Sequence, residues 1–265
     1  MAGRPAPWLS RDHELLCRAV REAGKIAASF FGKRLAGWDK RPGEPVSEAD
    51  LAVDDYLRRA LLAERPGYGW LSEESEESAN RLTAERLWVV DPIDGTRGFL
   101  KGWPEYAVAV ALIAEGRPVA AVVFNPATDE FFEAVIGGGA RLNGAPLAIG
   151  ERTELAGMKL LVSRRERQRI VEGSGLSGCV VEAISSVAYK IALVAAARAD
   201  AVVSLSEKSD WDLAAAHLVL AESGGRMTGA DGGELRYNAP RPRHDSLVAA
   251  NPTLHRLLLE RLGRR

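Results

Sequence analysis

Leu87-Trp88-Val89-Val90-Asp91-Pro92-Ile93-Asp94-Gly95-Thr96 joins an apolar strand to two acids that flank Pro-Ile. A strand that ends in Asp91 and turns at Pro92 can direct two carboxylates and the Ile93 carbonyl to one side, a set of hard oxygen ligands. Magnesium favours such oxygens and usually keeps coordination positions open for water or phosphate. A single Asp-Pro or Asp-Gly pair is by itself a turn former. Gly95 and Thr96 open a short helix through Leu100, whose free N-terminal amides suit a phosphate oxygen.

Downstream, Tyr106 to Ala114, Pro118 to Phe124 and Glu130 to Ile136 are β-rich and divided by Gly, Pro and Asn turn signals, so with Leu87 to Val90 they predict an antiparallel meander. Gly137-Gly138-Gly139 and Asn143-Gly144 read as tight turns, because no Lys-Ser/Thr follows them as in a phosphate-binding loop. Upstream, apolar residues from Leu15 to Phe31 keep a helical period, with Asp12 as the expected N-cap. Lys40 to Pro45 reads as a loop. Ser47-Glu48-Ala49-Asp50 has the pattern of a capping box opening a second helix, which Pro66 and Gly67 end.

Beyond Gly150 the pattern alternates. Strands are expected at 159–162, 179–183, 201–205 and 246–250, and helices at 187–198, 211–223 and 253–262, which implies a partly parallel sheet flanked by helices. At 265 residues the chain exceeds the usual single-domain size of roughly 100 to 150. Two layered halves, 1–150 and 151–265, are therefore expected, with a ligand cleft between them.

Composition narrows the function. Hydrophobic residues make up 46% and charged residues 27%, the balance of an ordinary globular protein. Lys and Arg total 35 against 36 Asp and Glu, so there is no global positive field to hold a nucleic acid. Cys17 and Cys179 stand far apart, which fits reduced thiols and a cytoplasmic location. The N-terminus lacks the apolar core of a secretory signal, and the longest uncharged apolar run, 106–114, is far short of a membrane span. His13, His217, His244 and His255 lie in separate contexts without a nucleophile elbow, which disfavours a Ser-His-Asp hydrolase.

Two further acidic segments flank the central one. Glu73 and Glu74 follow Trp70-Leu71-Ser72, and Asp210 and Asp212 open a helix. Taken alone, the first belongs to a solvated acidic run and the second consists of helix N-terminal acids. Together and in order, however, Glu44-Pro45-Val46-Ser47-Glu48-Ala49-Asp50, Ser72-Glu73-Glu74-Ser75, Asp91 to Thr96, Ser185-Ser186-Val187-Ala188 and Trp211-Asp212-Leu213-Ala214-Ala215 resemble the inositol monophosphatase superfamily across almost the whole chain.

The resemblance implies an αβαβα sandwich, α+β or α/β in class, with an antiparallel sheet in the first half and a mixed, partly parallel sheet in the second. It implies a magnesium-dependent phosphomonoesterase acting on a small phosphorylated metabolite, with two or three Mg2+ ions, sensitivity to lithium and a homodimer. By the same resemblance Asp91 would bridge two metals, Glu73 and the Ile93 carbonyl would complete one site, and Asp94 with Asp212 the other. Thr96 and Asp50, with Glu73, would orient the attacking water, although the capping box alone also accounts for Asp50. Independently of the family, a phosphate dianion repels hydroxide, and paired cations held by carboxylates offset that repulsion.

For the substrate, Gly95, Thr96, Arg97, Ser186, Lys190 and Lys208 are the candidate contacts. Arg97 with Phe99, and Ala188-Tyr189-Lys190, are similar to the 3'(2'),5'-bisphosphate nucleotidases, in which a second cation would hold a second phosphate. Arg97 and Lys190 read equally well as solvated charges, and Lys208 as the anion contact instead. The alternatives are an inositol-1-phosphate phosphatase, another sugar phosphatase such as fructose-1,6-bisphosphatase, and, in another class, a non-catalytic regulatory protein on the same fold. Ser72 and Ser185 stand where the family commonly has Gly, and Glu207-Lys208-Ser209 departs from the stretch that reads inositol hydroxyls. The run from Arg164 to Arg169 reads as a helix start carrying solvated charges.

Overall fold

The computed structural model describes residues 6–33, 35, 37–41, 44–173, 176 and 178–263. The chain begins with α1 (Pro7–Phe30), the hairpin β1 (Gly37–Arg41) and β2 (Glu44–Ser47), and α2 (Glu48–Glu64). Next come β3 (Gly69–Ser72), β4 (Arg86–Asp94) and the short α3 (Thr96–Leu100). A run of strands follows: β5 (Ala107–Ala114), β6 (Arg117–Asn125), β7 (Glu130–Val135), β8 (Gly139–Leu142) and β9 (Ala145–Pro146). The remainder alternates through β10 (Lys159–Val162), α4 (Arg167–Gly173), β11 (Val180–Ala183), α5 (Val187–Ala195), β12 (Ala201–Ser204) and β13 (Lys208–Ser209). It ends with α6 (Asp210–Glu222), β14 (Arg226–Thr228), β15 (Arg243–His244), β16 (Leu247–Ala250) and α7 (Pro252–Leu262).

β3 to β9 form one sheet in sequence order, and a second sheet runs β11-β10-β12-β16-β14. Side-chain alternation explains the layering. On one face of the large sheet Trp88, Val90, Val108 and Val110 pack with Leu16, Val20, Val53 and Leu57 of α1 and α2. On the other face Leu87, Val89 and Ala107, Ala109 and Ala111 pack with Ile191 of α5, Ala214 of α6 and the inner residues Leu161, Val202 and Ala249 of the second sheet. The outer face of that sheet, Leu160, Val203 and Val248, meets Leu254 and Leu258 of α7. The result is the expected αβαβα sandwich. Alanines along β5, facing the Ala-rich α6, are small enough for the middle helix layer to lie close to the strands. The middle core draws on residues from both sides of position 150.

Several elements depart from expectation. α1 starts at Pro7, and Asp12 is buried inside it rather than capping it, accepting hydrogen bonds from Arg65 Nε and Tyr68 Oη at 2.6 Å each. Within the expected loop from Lys40 to Pro45, residues 40 and 41 belong to β1 and residues 44 and 45 to β2, and residues 42 and 43 lie outside the described set. The large sheet is not wholly antiparallel, since β3 pairs parallel with β4. The second sheet is mixed as expected, β10 pairing parallel with β11 and β12 and β16 antiparallel with β12 and β14.

The glycine turns form as read, with positive φ at Gly137, Gly139, Asn143 and Gly144. The amides of Gly137 and Gly139 donate to the Glu222 carboxylate at 2.9 and 2.8 Å, so that turn is filled from within the protein. Both cysteines are free. Among the described residues no helix is long and apolar enough to cross a membrane.

Candidate metal centre and its cleft

The parallel pairing of β3 and β4 brings the first acids together. Its register sets Ser72 beside Val90, and the Glu73 amide donates to the Val90 carbonyl at 3.3 Å, so Glu73 and Asp91 leave the same end of adjacent strands. The β4–β5 ladder shifts register between Asp91 and Asp94, and both aspartates, with Ile93 between them, line the site. Ser72, one of the departures noted above, donates to the Asp54 carboxylate and accepts the Glu74 amide at 3.3 Å, bracing the turn that carries Glu73.

Two helices supply the rest, each by the third residue of its first turn. In α2, Asp50 Oδ2 accepts the Ser47 amide at 2.9 Å and the Ser47 hydroxyl at 2.6 Å, completing the capping box, while Oδ1 accepts from Thr96 Oγ1 at 2.9 Å. The two readings of Asp50, as helix cap and as partner of Thr96, therefore use different oxygens. In α6, Asp212 Oδ2 accepts the Ser209 amide at 2.6 Å. Asp210 beside it is buried, tied to His244 Nε2 at 2.9 Å and to the Asn238 amide at 2.7 Å, and anchors the helix start.

Asp91, Asp94 and Asp212 each place a carboxylate oxygen within 4.8 Å of those of the other two. Glu73 and Ile93 line the same cleft of about 500 Å³. All three aspartates hold their protons more tightly than usual. Burial is the chief cause at each, reinforced at Asp91 by Glu73, Asp94 and Asp212. At Asp212, burial with Asp94 and Glu73 pushes the carboxyl up to about 7. Asp91 Oδ1 is buried and accepts no hydrogen bond from any described residue. A buried, unsatisfied acceptor among mutually repelling carboxylates is costly unless a cation meets it, so the donor set fits a hard divalent ion.

The expected substrate contacts separate into two groups. Gly95, Thr96 and Arg97 line the cleft. Gly95 has φ +99° and a Cβ there would stand 3.1 Å from the Glu105 carbonyl, so the turn requires glycine. Ser186, Lys190 and Lys208 do not line it. Ser186 is buried as the N-cap of α5, donating to Asp94 Oδ2 at 2.6 Å and accepting the Tyr189 amide at 3.0 Å, so it holds a carboxylate in place. Lys190 is 2% exposed with Nζ on the Ile184 carbonyl at 3.2 Å, and burial pulls its pKa down to about 8. Lys208 donates to Ser206 Oγ at 2.6 Å.

The sequence reading passed over other cleft residues. Arg164 and Arg165, set aside as solvated charges, line it together with Lys101 and Trp103. Arg164 lies over the Trp103 ring at 4.1 Å and reaches Glu105 at 3.4 Å. A basic run just after a strand, near an acidic cluster, was the available signal. None of the four histidines lines the cleft.

A model of the inositol monophosphatase family matches residues 8–264. An inositol-1-monophosphatase of Rhizobium meliloti is 38% identical over 94% of this chain and 95% of its own. A histidinol-phosphatase of Mycobacterium tuberculosis is 34% identical over 96% and 99%. Among solved structures, the extragenic suppressor protein SuhB of Bartonella henselae superposes with a TM-score of 0.83 at 29% identity, covering 95% of this chain and 98% of that one.

Proposed function

Because the chain belongs to the inositol monophosphatase family of metal-dependent phosphatases, we propose that it hydrolyses the phosphate monoester of a neutral polyol, of the inositol-1-phosphate type, using magnesium. The observation that carries the metal reading is the unpartnered Asp91 Oδ1 beside Asp94 and Asp212. Glu73, Asp91, Asp94, Asp212 and the Ile93 carbonyl would hold two or three ions. When bound, magnesium supplies charge neutralisation for the phosphate and a more acidic water. The Thr96 hydroxyl has one hydrogen and two acceptors in reach, Asp50 Oδ1 at 2.9 Å and the Ile93 carbonyl at 3.0 Å. With that hydrogen given to Asp50, a Thr96 lone pair would remain to accept a hydrogen from the nucleophilic water.

The lining selects among substrates. Among the described residues its acids are Glu73, Asp91, Asp94 and Asp212, all spoken for by the metals, and its cations are Arg97, Lys101, Arg164 and Arg165. Nothing remains to pair the ammonium and imidazole of a histidinol ester, which argues against the activity for which one relative is named. The nucleotidase expectation loses Lys190, which is buried and does not line the cleft, and a second phosphate would have to draw on the four lining cations instead. A sugar bisphosphate is the second reading, favoured by the same four cations.

Parallel assays on inositol-1-phosphate, fructose-1,6-bisphosphate, adenosine 3',5'-bisphosphate and histidinol phosphate test this. We expect inositol-1-phosphate to give the highest kcat/KM and EDTA to abolish turnover. Preference for histidinol phosphate or the nucleotide would overturn the substrate, and EDTA-resistant activity the metal centre. The homodimer belongs to the same proposal, and a monomer by light scattering would remove it.

A further inference from the structure

A second constellation of ligand-type side chains lies away from the cleft. His13 and Cys17 are one helical turn apart on α1, and Glu133 projects from β7, against which α1 packs. Cys17 Sγ is 3.3 Å from His13 Nε2 and 3.2 Å from Glu133 Oε2, and the third side, His13 Nε2 to Glu133 Oε2, is 3.2 Å. The three atoms thus form a nearly equilateral triangle. None of the three residues lines the cleft.

Hydrogen bonding alone accounts for only two sides of that triangle. Glu133 is held ionised, chiefly by the hydrogen bond from His13. The thiol donates to Glu133 Oε2 and the tautomer decides the role of His13 Nε2, so at most two hydrogens, one on sulfur and one on nitrogen, serve the three sides. One side is therefore left as a bare contact between two potential electron-pair donors. An ion seated over the triangle uses a lone pair from each corner. Ligands at zinc distances of roughly 2.0 to 2.3 Å lie about 3.3 to 3.6 Å apart on a tetrahedral face, so the observed triangle needs only a slight expansion.

We propose that His13, Cys17 and Glu133 form a binding site for a borderline-soft divalent cation, zinc above all, separate from the carboxylate centre. The donor set decides the ion: thiolate and imidazole select zinc or cobalt over magnesium, which the all-oxygen cleft prefers. His13 and Glu133 side chains retain 21% and 18% of their exposure, which leaves the fourth position to solvent. On binding, the thiol proton passes to solvent, the imidazole presents Nε2 as the tautomer protonated on Nδ1, and Glu133 stays ionised. Thiolate and carboxylate together match the dipositive ion. Two other charges act on the thiol: Arg21, whose guanidinium sits 3.7 Å over the Phe131 ring, opposes a cation, and Glu14 favours one.

The test is cobalt titration of the intact protein in excess magnesium, reading the near-ultraviolet thiolate-to-cobalt absorption. One equivalent should develop the band in the wild type, in Cys179→Ser and in Asp94→Asn, and the band should vanish in Cys17→Ser and fall sharply in His13→Gln. A second arm needs no variant: zinc should protect Cys17, and not Cys179, from alkylation as read by mass spectrometry. Absence of a wild-type band, a band that survives Cys17→Ser, or equal alkylation of Cys17 with and without zinc would each overturn the site.

Discussion

Asp94 owes its orientation to donors that the sequence does not place beside it. Ser186 Oγ and the Ala188 amide, 92 and 94 residues away, both donate to its Oδ2, at 2.6 and 2.5 Å. Removing the carboxylate and removing its support should therefore differ in degree. Asp94→Asn is expected to cut kcat by orders of magnitude while the protein stays folded, because a charged ligand is lost. Ser186→Ala should raise the magnesium needed for half-maximal activity about 10- to 100-fold, the usual cost of losing a ligand's supporting hydrogen bond. Magnesium-dependent assays and circular dichroism check both, and an unchanged magnesium requirement in Ser186→Ala would show that Ser186 does not position Asp94. The acids themselves were legible as residue types in ordered motifs. Ser186 and Lys190, expected as substrate contacts, are buried and do not line the cleft, because sequence names a side chain's chemistry but not its direction.

At the scale of elements, the site depends on where strands and helices end. Glu73 and Asp91 meet only because β3 runs parallel to β4, a pairing that four residues, Gly69 to Ser72, are too few to advertise by alternation. The capping box of α2 was readable in Ser47 to Asp50, and it turns one carboxylate into both a cap and a partner for Thr96. The junction from β4 into α3 turns on Gly95, at φ +99° with the Glu105 carbonyl 3.1 Å from any added Cβ. Gly95→Ala should thus cost about 1–3 kcal/mol for the strained backbone and lower kcat further by displacing Thr96. Urea denaturation alongside kinetics measures the two effects, and wild-type stability with wild-type kcat would mean the turn tolerates a side chain.

For the molecule as a whole, the five layers bury a charge cluster that the metal-free protein has to accommodate. Asp91, Asp94 and Asp212 keep their protons to higher pH when folded than when unfolded, Asp212 to about 7. Groups shifted upward in this way stabilise the folded state fully below their unfolded values near ~4, and that contribution is lost as pH rises toward 7. In EDTA the thermal midpoint should therefore fall between pH 5 and 8, whereas magnesium, replacing protons as the neutralising charge, should flatten the curve. Equal slopes in both conditions would show that these carboxylates hold no cation. The sequence by itself determined most helices and strands, the acidic motifs and their hard-oxygen character, because periodicity and ligand type are local properties, while the layered class came with the family resemblance those motifs carry. Only the tertiary structure decided that Arg164 and Arg165 reach the cleft while Ser186 and Lys190 do not, and that His13 and Cys17 meet Glu133. Those outcomes follow from how strands pair and helices pack across more than a hundred residues of chain in the last case, and no local pattern carries that information.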